Sequence, residues 1–319
     1  MKRSCVLLVL VLVFGAACAP ALKDLKSTLS ATDDGNIWFA TTGSLTRSPD
    51  GSRLVPGGPV VISGELRFPT GAGPFPAVIL AHGCSGVVNA QTGWATVLRE
   101  WGYATFVLDS FQGRGLTEVC SDGRILTGVQ RIPDAYGALR IVVTHPRIDA
   151  RRVALMGFSH GGILTVGAST AWAKETYAPT GQPAFRAFFP FYPGCNSIYP
   201  ERERISAPVR IHIGELDDWT PAGPCIQLTQ SLKTSGQDAS ITVYPGAYHS
   251  FDNSGQGLLR LSNQVNWGDC VTRIASILEL KPLSSTGACP KKGAWVGWSR
   301  ETTEQARQNV RAQLSEVLK

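Results

Sequence analysis

The chain has no long block of like charge, no internal repeat and no zinc-finger spacing. Its formal net charge of +6 is spread over 319 residues instead of gathering on one helix. Nucleic-acid binders concentrate Lys and Arg on one face or one reading helix, so no nucleic-acid partner is expected. Charged residues make up 17% and apolar ones 43%, which argues against disorder and for one sizeable globular core. No two cysteines have the Cys-x-x-Cys spacing of a metal site.

An apolar run of the roughly 20 residues that span a bilayer is also missing. The run Val6 to Ala17 is shorter and follows Lys2 and Arg3, the pattern of a secretion signal over residues 1–18. Two processing sites compete. Phe14-Gly15-Ala16-Ala17-Cys18 resembles a bacterial lipobox, whose lipidated Cys18 would tether the mature chain to a membrane. Ala19-Pro20-Ala21 is a plain Ala-x-Ala cleavage sequence. Either route exports the chain, to the periplasm or cell envelope, otherwise to the medium. Cys84, Cys120, Cys195, Cys225, Cys270 and Cys289 then lie in an oxidising compartment and read as three disulfides, with free buried thiols as the alternative. Cys84 and Cys120 follow successive strands, as do Cys195 and Cys225, so these pairs are geometrically reasonable and leave Cys270 with Cys289.

What is present is an alternation of apolar runs and helical stretches. Residues 19–58 are polar and read as a tether with a short strand near Ile37-Trp38-Phe39. From Pro59 strands are expected over Val60 to Phe68, Ala77 to Ala81, Ala104 to Leu108, Val153 to Met156, Ala187 to Phe189, Val209 to Ile213 and Ile241 to Tyr244. Helices are expected over Gln91 to Glu100, Pro133 to Val143 and from Gly162, then near Asp269 to Leu278 and Glu301 to Leu318. Continuous apolar runs suit strands buried on both faces, and their alternation with helices predicts a doubly wound, mostly parallel α/β sheet. That pattern places the catalytic unit at residues 59–280 and leaves 281–319 as an extension packed on it.

The run Val153-Ala154-Leu155-Met156-Gly157-Phe158-Ser159-His160-Gly161-Gly162 carries the chemistry. A strand feeds Gly-x-Ser-x-Gly and a helix follows, the context of a nucleophile elbow. A serine hydroxyl needs a base to take its proton, and the base needs a carboxylate to orient it. Two later loops supply them in the order Ser, Asp, His. Gly214-Glu215-Leu216-Asp217-Asp218 follows one strand, and Tyr248-His249-Ser250-Phe251 follows the next. Asp217 is favoured by its Gly-x-x-Asp spacing, while Asp218 is the alternative, or a cap for the following helix. The oxyanion would be held by the main-chain N–H groups of His160 and Cys84, the latter in His82-Gly83-Cys84-Ser85-Gly86. The ring of His82 is then structural.

These segments, with Leu108-Asp109-Ser110-Phe111, resemble the dienelactone hydrolase family in content and order across Val60 to Leu280. The resemblance implies an α/β-hydrolase fold, no cofactor, and hydrolysis of a small-molecule ester or lactone through an acyl-enzyme. The namesake enzymes carry cysteine at the nucleophile, where this chain has Ser159. Their substrate carboxylate is held by arginines, for which Arg114 is the approximate counterpart here. The rival readings are a prolyl-oligopeptidase-like peptidase and a non-catalytic surface lipoprotein on a hydrolase scaffold.

Overall fold

In the computed structural model, residues 25–287 and 289–319 are described, so the signal segment and Cys18 lie outside them. Eight strands form the central sheet: β1 (Gly35–Ala40), β2 (Val61–Arg67), β3 (Phe75–Ala81), β4 (Ala104–Asp109), β5 (Ile148–Phe158), β6 (Ala187–Phe191), β7 (Val209–Gly214) and β8 (Ala239–Tyr244). Their spatial order is β1-β2-β4-β3-β5-β6-β7-β8. β1 and β2 pair antiparallel, as do β2 and β4, and every other neighbouring pair is parallel. The central strands are buried on both faces: Val78, Ile79, Leu80, Ala154, Leu155 and Met156 have no exposed surface. That is the reason they read as unbroken apolar runs.

Helices α1 (Asn89–Glu100), α2 (Ile132–Val142), α3 (His160–Ala168), α4 (Ala171–Tyr177), α5 (Ala222–Thr234) and α6 (Arg300–Val317) cover the sheet. This is an α/β-hydrolase fold. Because β3, β5, β7 and β8 run parallel, the loops that follow them project from one edge of the sheet.

The short strand expected near Ile37-Trp38-Phe39 is β1, an edge strand of the sheet in which Ile37 and Phe39 alternate inward and are buried. The expected helix over 269–278 is absent. Val271–Arg273 is a strand instead, antiparallel to Ser284–Thr286 and parallel to Ser197–Ile198. Cross-strand bonds and the Cys270–Cys289 bridge occupy this stretch, overriding a weak helical pattern. The last helix, by contrast, is part of the core: Ala306, Val310 and Leu314 are fully buried, and Gln313 Oε1 lies 3.0 Å from Nε2 of His212 on β7.

Candidate active site

Ser159 stands between β5 and α3 with φ +53° and ψ −112°. A non-glycine residue held in such a conformation stores strain, here used to raise its side chain above the sheet edge. The turn tightens only because its flanks lack side chains. A Cβ on Gly157 would strike the carbonyl of Gly161, and one on Gly161 would strike the carbonyl of Ala81.

The loops after β7 and β8 bring two further groups to this serine. His249 Nε2 lies 2.9 Å from Ser159 Oγ, and His249 Nδ1 lies 2.7 Å from Asp217 Oδ2. The main-chain N–H groups of Trp219 and Thr220 donate to Asp217 Oδ1 at 3.0 and 2.8 Å, and the Thr220 hydroxyl donates to Oδ2 at 2.9 Å. An ionised carboxylate only accepts, so the proton between them sits on Nδ1 and Nε2 faces the serine as an acceptor. Both His249 and Asp217 are buried.

Asp218 turns away from this group. Its Oδ1 accepts the Trp295 N–H at 2.8 Å, and its carbonyl accepts from Asn266 Nδ2 at 3.0 Å. It does not cap α5 either, which starts after Pro221 with no side-chain cap. The C-terminal segment occupies its carboxylate instead.

Behind the histidine, the Tyr192 ring packs 4.7 Å from the His249 ring. The Tyr192 hydroxyl and Trp94 Nε1 each donate to the carboxylate of Asp252 at 2.7 Å. Burial pushes the Asp252 carboxyl up, and these two donors pull it partly back. Burial also holds the Tyr192 hydroxyl well above its usual range.

On the other side, Gly83, Cys84, Ser85 and Gly86 form one wall of the cleft above Ser159. A Cβ on Gly83 would lie 3.6 Å from that of Ser159. His82 is buried under this loop; its Nδ1 is 2.7 Å from Gly83 O, and its Nε2 accepts the Ser110 N–H at 3.2 Å. Burial, foremost, holds its pKa well below the ordinary value, so it is a neutral structural ring. Beneath it lies Arg131, fully buried, whose Nη1 donates to His82 O and to His160 Nδ1, each at 2.9 Å. Burial lowers Arg131 to about 10 and, with Arg131's charge, His160 to about 3.

The segment 62–269 matches the model of the dienelactone hydrolase family. The chain belongs to that family. Among curated relatives, a Bradyrhizobium protein named "Probable 2-oxo-3-(5-oxofuran-2-ylidene)propanoate lactonase" is 21% identical over 203 residues, covering 58% of this chain and 77% of that one. The acylamino-acid-releasing enzyme of Rattus norvegicus is 24% identical over 229 residues, covering 60% of this chain; the chain spans only 31% of that longer relative. Among solved structures, a dienelactone hydrolase-like promiscuous phosphotriesterase from metagenomic libraries superposes with TM-score 0.57 at 16% identity, covering 89% of this chain and all (100%) of its own. A thermophilic esterase from Thermogutta terrifontis gives TM-score 0.51 at 17% identity, covering 62% and 83%.

Within this dienelactone hydrolase family member, Arg114 does not reach the cleft. Its guanidinium makes two bonds of 2.8 Å to the buried Asp134 and one of 2.7 Å to Ser110 O. The reading of Arg114 as a holder of substrate is therefore corrected, because its donors are taken by an internal bidentate pair. The three disulfides join the pairs read from the sequence. Cα separations are 4.9 Å for Cys84–Cys120, 5.0 Å for Cys195–Cys225 and 5.5 Å for Cys270–Cys289. Such bridges fit an oxidising compartment. Three participants had escaped the sequence reading. Thr220 and Asp252 each lie three residues beyond a motif residue and were findable by that offset, whereas a lone arginine at the start of α2 carries no such signal.

Proposed function

We propose that this chain is an exported serine hydrolase that cleaves carboxylic esters or lactones through an acyl-enzyme on Ser159. The observation that carries this reading is His249, held between Ser159 Oγ and the Asp217 carboxylate. Ser159 Oγ attacks the acyl carbon while its proton passes to His249 Nε2. The carbonyl oxygen takes the electron pair and is held by the N–H groups of His160 and Cys84. When the carbonyl re-forms, the alcohol leaves with the proton from His249. A water molecule then repeats the sequence, giving its proton to His249, and the acid departs as that proton returns to Ser159. Asp217 keeps His249 in the required tautomer and stabilises the imidazolium. The signal segment and the three disulfides support export, with lipidation of Cys18 as the tether.

Labelling with a fluorophosphonate, followed by an ester and lactone panel on wild type and Ser159→Ala, tests the reading. Probe adduct on Ser159 and turnover lost in the variant are the expected results; a stoichiometric adduct elsewhere overturns it. Similarity to acylamino-acid-releasing enzymes favours peptidase activity as the second reading. N-acetylalanine p-nitroanilide in the same panel separates the two.

A further inference from the structure

One side of the cleft above Ser159 is built from the C-terminal part of the chain. Val296 forms a parallel bridge with His249, and the Gly297 N–H donates to His249 O at 3.1 Å. Further along, the Trp298 N–H donates to Gln256 O and the Ser299 N–H to Phe251 O, both at 2.9 Å. With Trp295 bound to Asp218, the segment is stitched to both loops that deliver Asp217 and His249. Val296 and Leu261 thereby line the cleft, and Val296 is 1% exposed. Val296 lies beyond the residues matched by the family, which end at 269.

Two properties of the cleft define what fits. Its inner space beside Ser159 is small, ≈ 80 Å³, and Val296 and Leu261 bound it, which favours a short acyl group there. Its lining is neutral: among the described residues around it none is Asp, Glu, Lys or Arg, and its polar groups are amides and hydroxyls such as Asn253, Gln256 and Ser85. A carboxylate entering there would lose water without gaining a cation, which is strongly unfavourable. Arg114, the residue best placed by sequence to supply that cation, is bound to Asp134.

The geometry points to uncharged esters of short acyl groups, two to four carbons long, as the substrate class, with Val296 and Leu261 as the residues that limit acyl length. This rests on the acyl-enzyme reading above. Shape alone discriminates one methylene by roughly 10- to 200-fold, and an unpaired buried charge discriminates by more.

The test is a p-nitrophenyl ester series from acetyl to octanoyl, with the succinyl half-ester as the charged counterpart of the butyryl ester. Expected for the wild type is a kcat/KM maximum between acetyl and butyryl, a fall of at least about tenfold at octanoyl, and at least about 100-fold discrimination against the succinyl ester. Val296→Ala and Leu261→Ala should each raise the ratio of octanoyl to acetyl kcat/KM by at least about tenfold, moving the maximum to longer acyl groups. Ser159-dependent turnover that is fastest on octanoyl, or equal on the succinyl ester, overturns the inference and leaves the acyl-enzyme reading standing. Absence of a fluorophosphonate adduct on Ser159, with no ester cleaved, overturns both. Should either variant melt early, the wild-type series decides alone, and unchanged chain-length preference in a folded variant removes that residue from the role.

Discussion

Arg131 Nη1 donates to His160 Nδ1 at 2.9 Å, so a fully buried cation holds the residue that directly follows Ser159. The same nitrogen holds His82 O, at the root of the loop carrying Cys84. One side chain therefore ties together the two segments proposed to bind the oxyanion. Arg131→Met should lower kcat by about 10- to 100-fold with KM little changed, because small misplacements of catalytic donors have effects of that size. Arg131→Lys should recover part of the loss. Steady-state kinetics on folded variants checks this, and a rise in KM at constant kcat would assign Arg131 to substrate binding instead.

Removing the Ser159 hydroxyl should be nearly complete in effect. Ser159→Ala is expected to lower kcat on the order of a millionfold. A purified variant with substantial residual ester hydrolysis would place the nucleophile elsewhere.

The two neighbouring acids should separate sharply. Asp217→Asn is expected to cost on the order of 10⁴ in kcat, since an amide facing Nδ1 favours the wrong imidazole tautomer. Asp218→Asn should cost far less and should act through the Trp295 contact, raising flexibility of the C-terminal segment. Reversed magnitudes in the two kcat values would contradict the geometry.

Stability should fall on mild acidification. Burial lowers His212 to about 4 and, with Arg131, His160 to about 3, and it also holds His82 down. Unfolding frees these rings to take up protons below about 6.5. Between there and about 4 the unfolded chain binds more protons than the native one, so stability rises with pH across this window. Each histidine contributes up to about 1.4 kcal/mol per pH unit. Asp252, raised by burial, has the opposite sign but is one group against these three and His145, which burial also lowers. Urea midpoints measured between pH 7 and pH 4.5 should decline steadily; a flat profile would show that these rings are accessible to solvent in the native state.

Reduction should touch activity as well as stability. Cys84–Cys120 closes a 36-residue separation and anchors the loop beside Ser159. Cys84→Ser with Cys120→Ser should lower stability by about 2–4 kcal/mol and reduce kcat through looser oxyanion donors. Calorimetry together with kinetics reads both effects, and an unchanged kcat at reduced stability would confine the bridge to a structural role.

By itself the sequence determined the parallel sheet and the order of its candidate catalytic groups. Strands buried on both faces must be continuously apolar, and the elbow must carry glycine on each side of Ser159, so both leave local signatures. Two of the cysteine pairs were suggested for a related reason, since successive parallel strands end near one another, but the connectivity was decided by the structure. The tertiary structure decided what local pattern cannot encode. Asp218 went to Trp295 and not to α5, Arg114 went to Asp134 and not to the cleft, and 271–273 became a strand through partners at 197–198 and 284–286. Each outcome depends on which groups meet across long stretches of chain. The placing of Val296 against His249 belongs with them, because a residue 47 positions away reaches that site only after the whole sheet and its loops have formed.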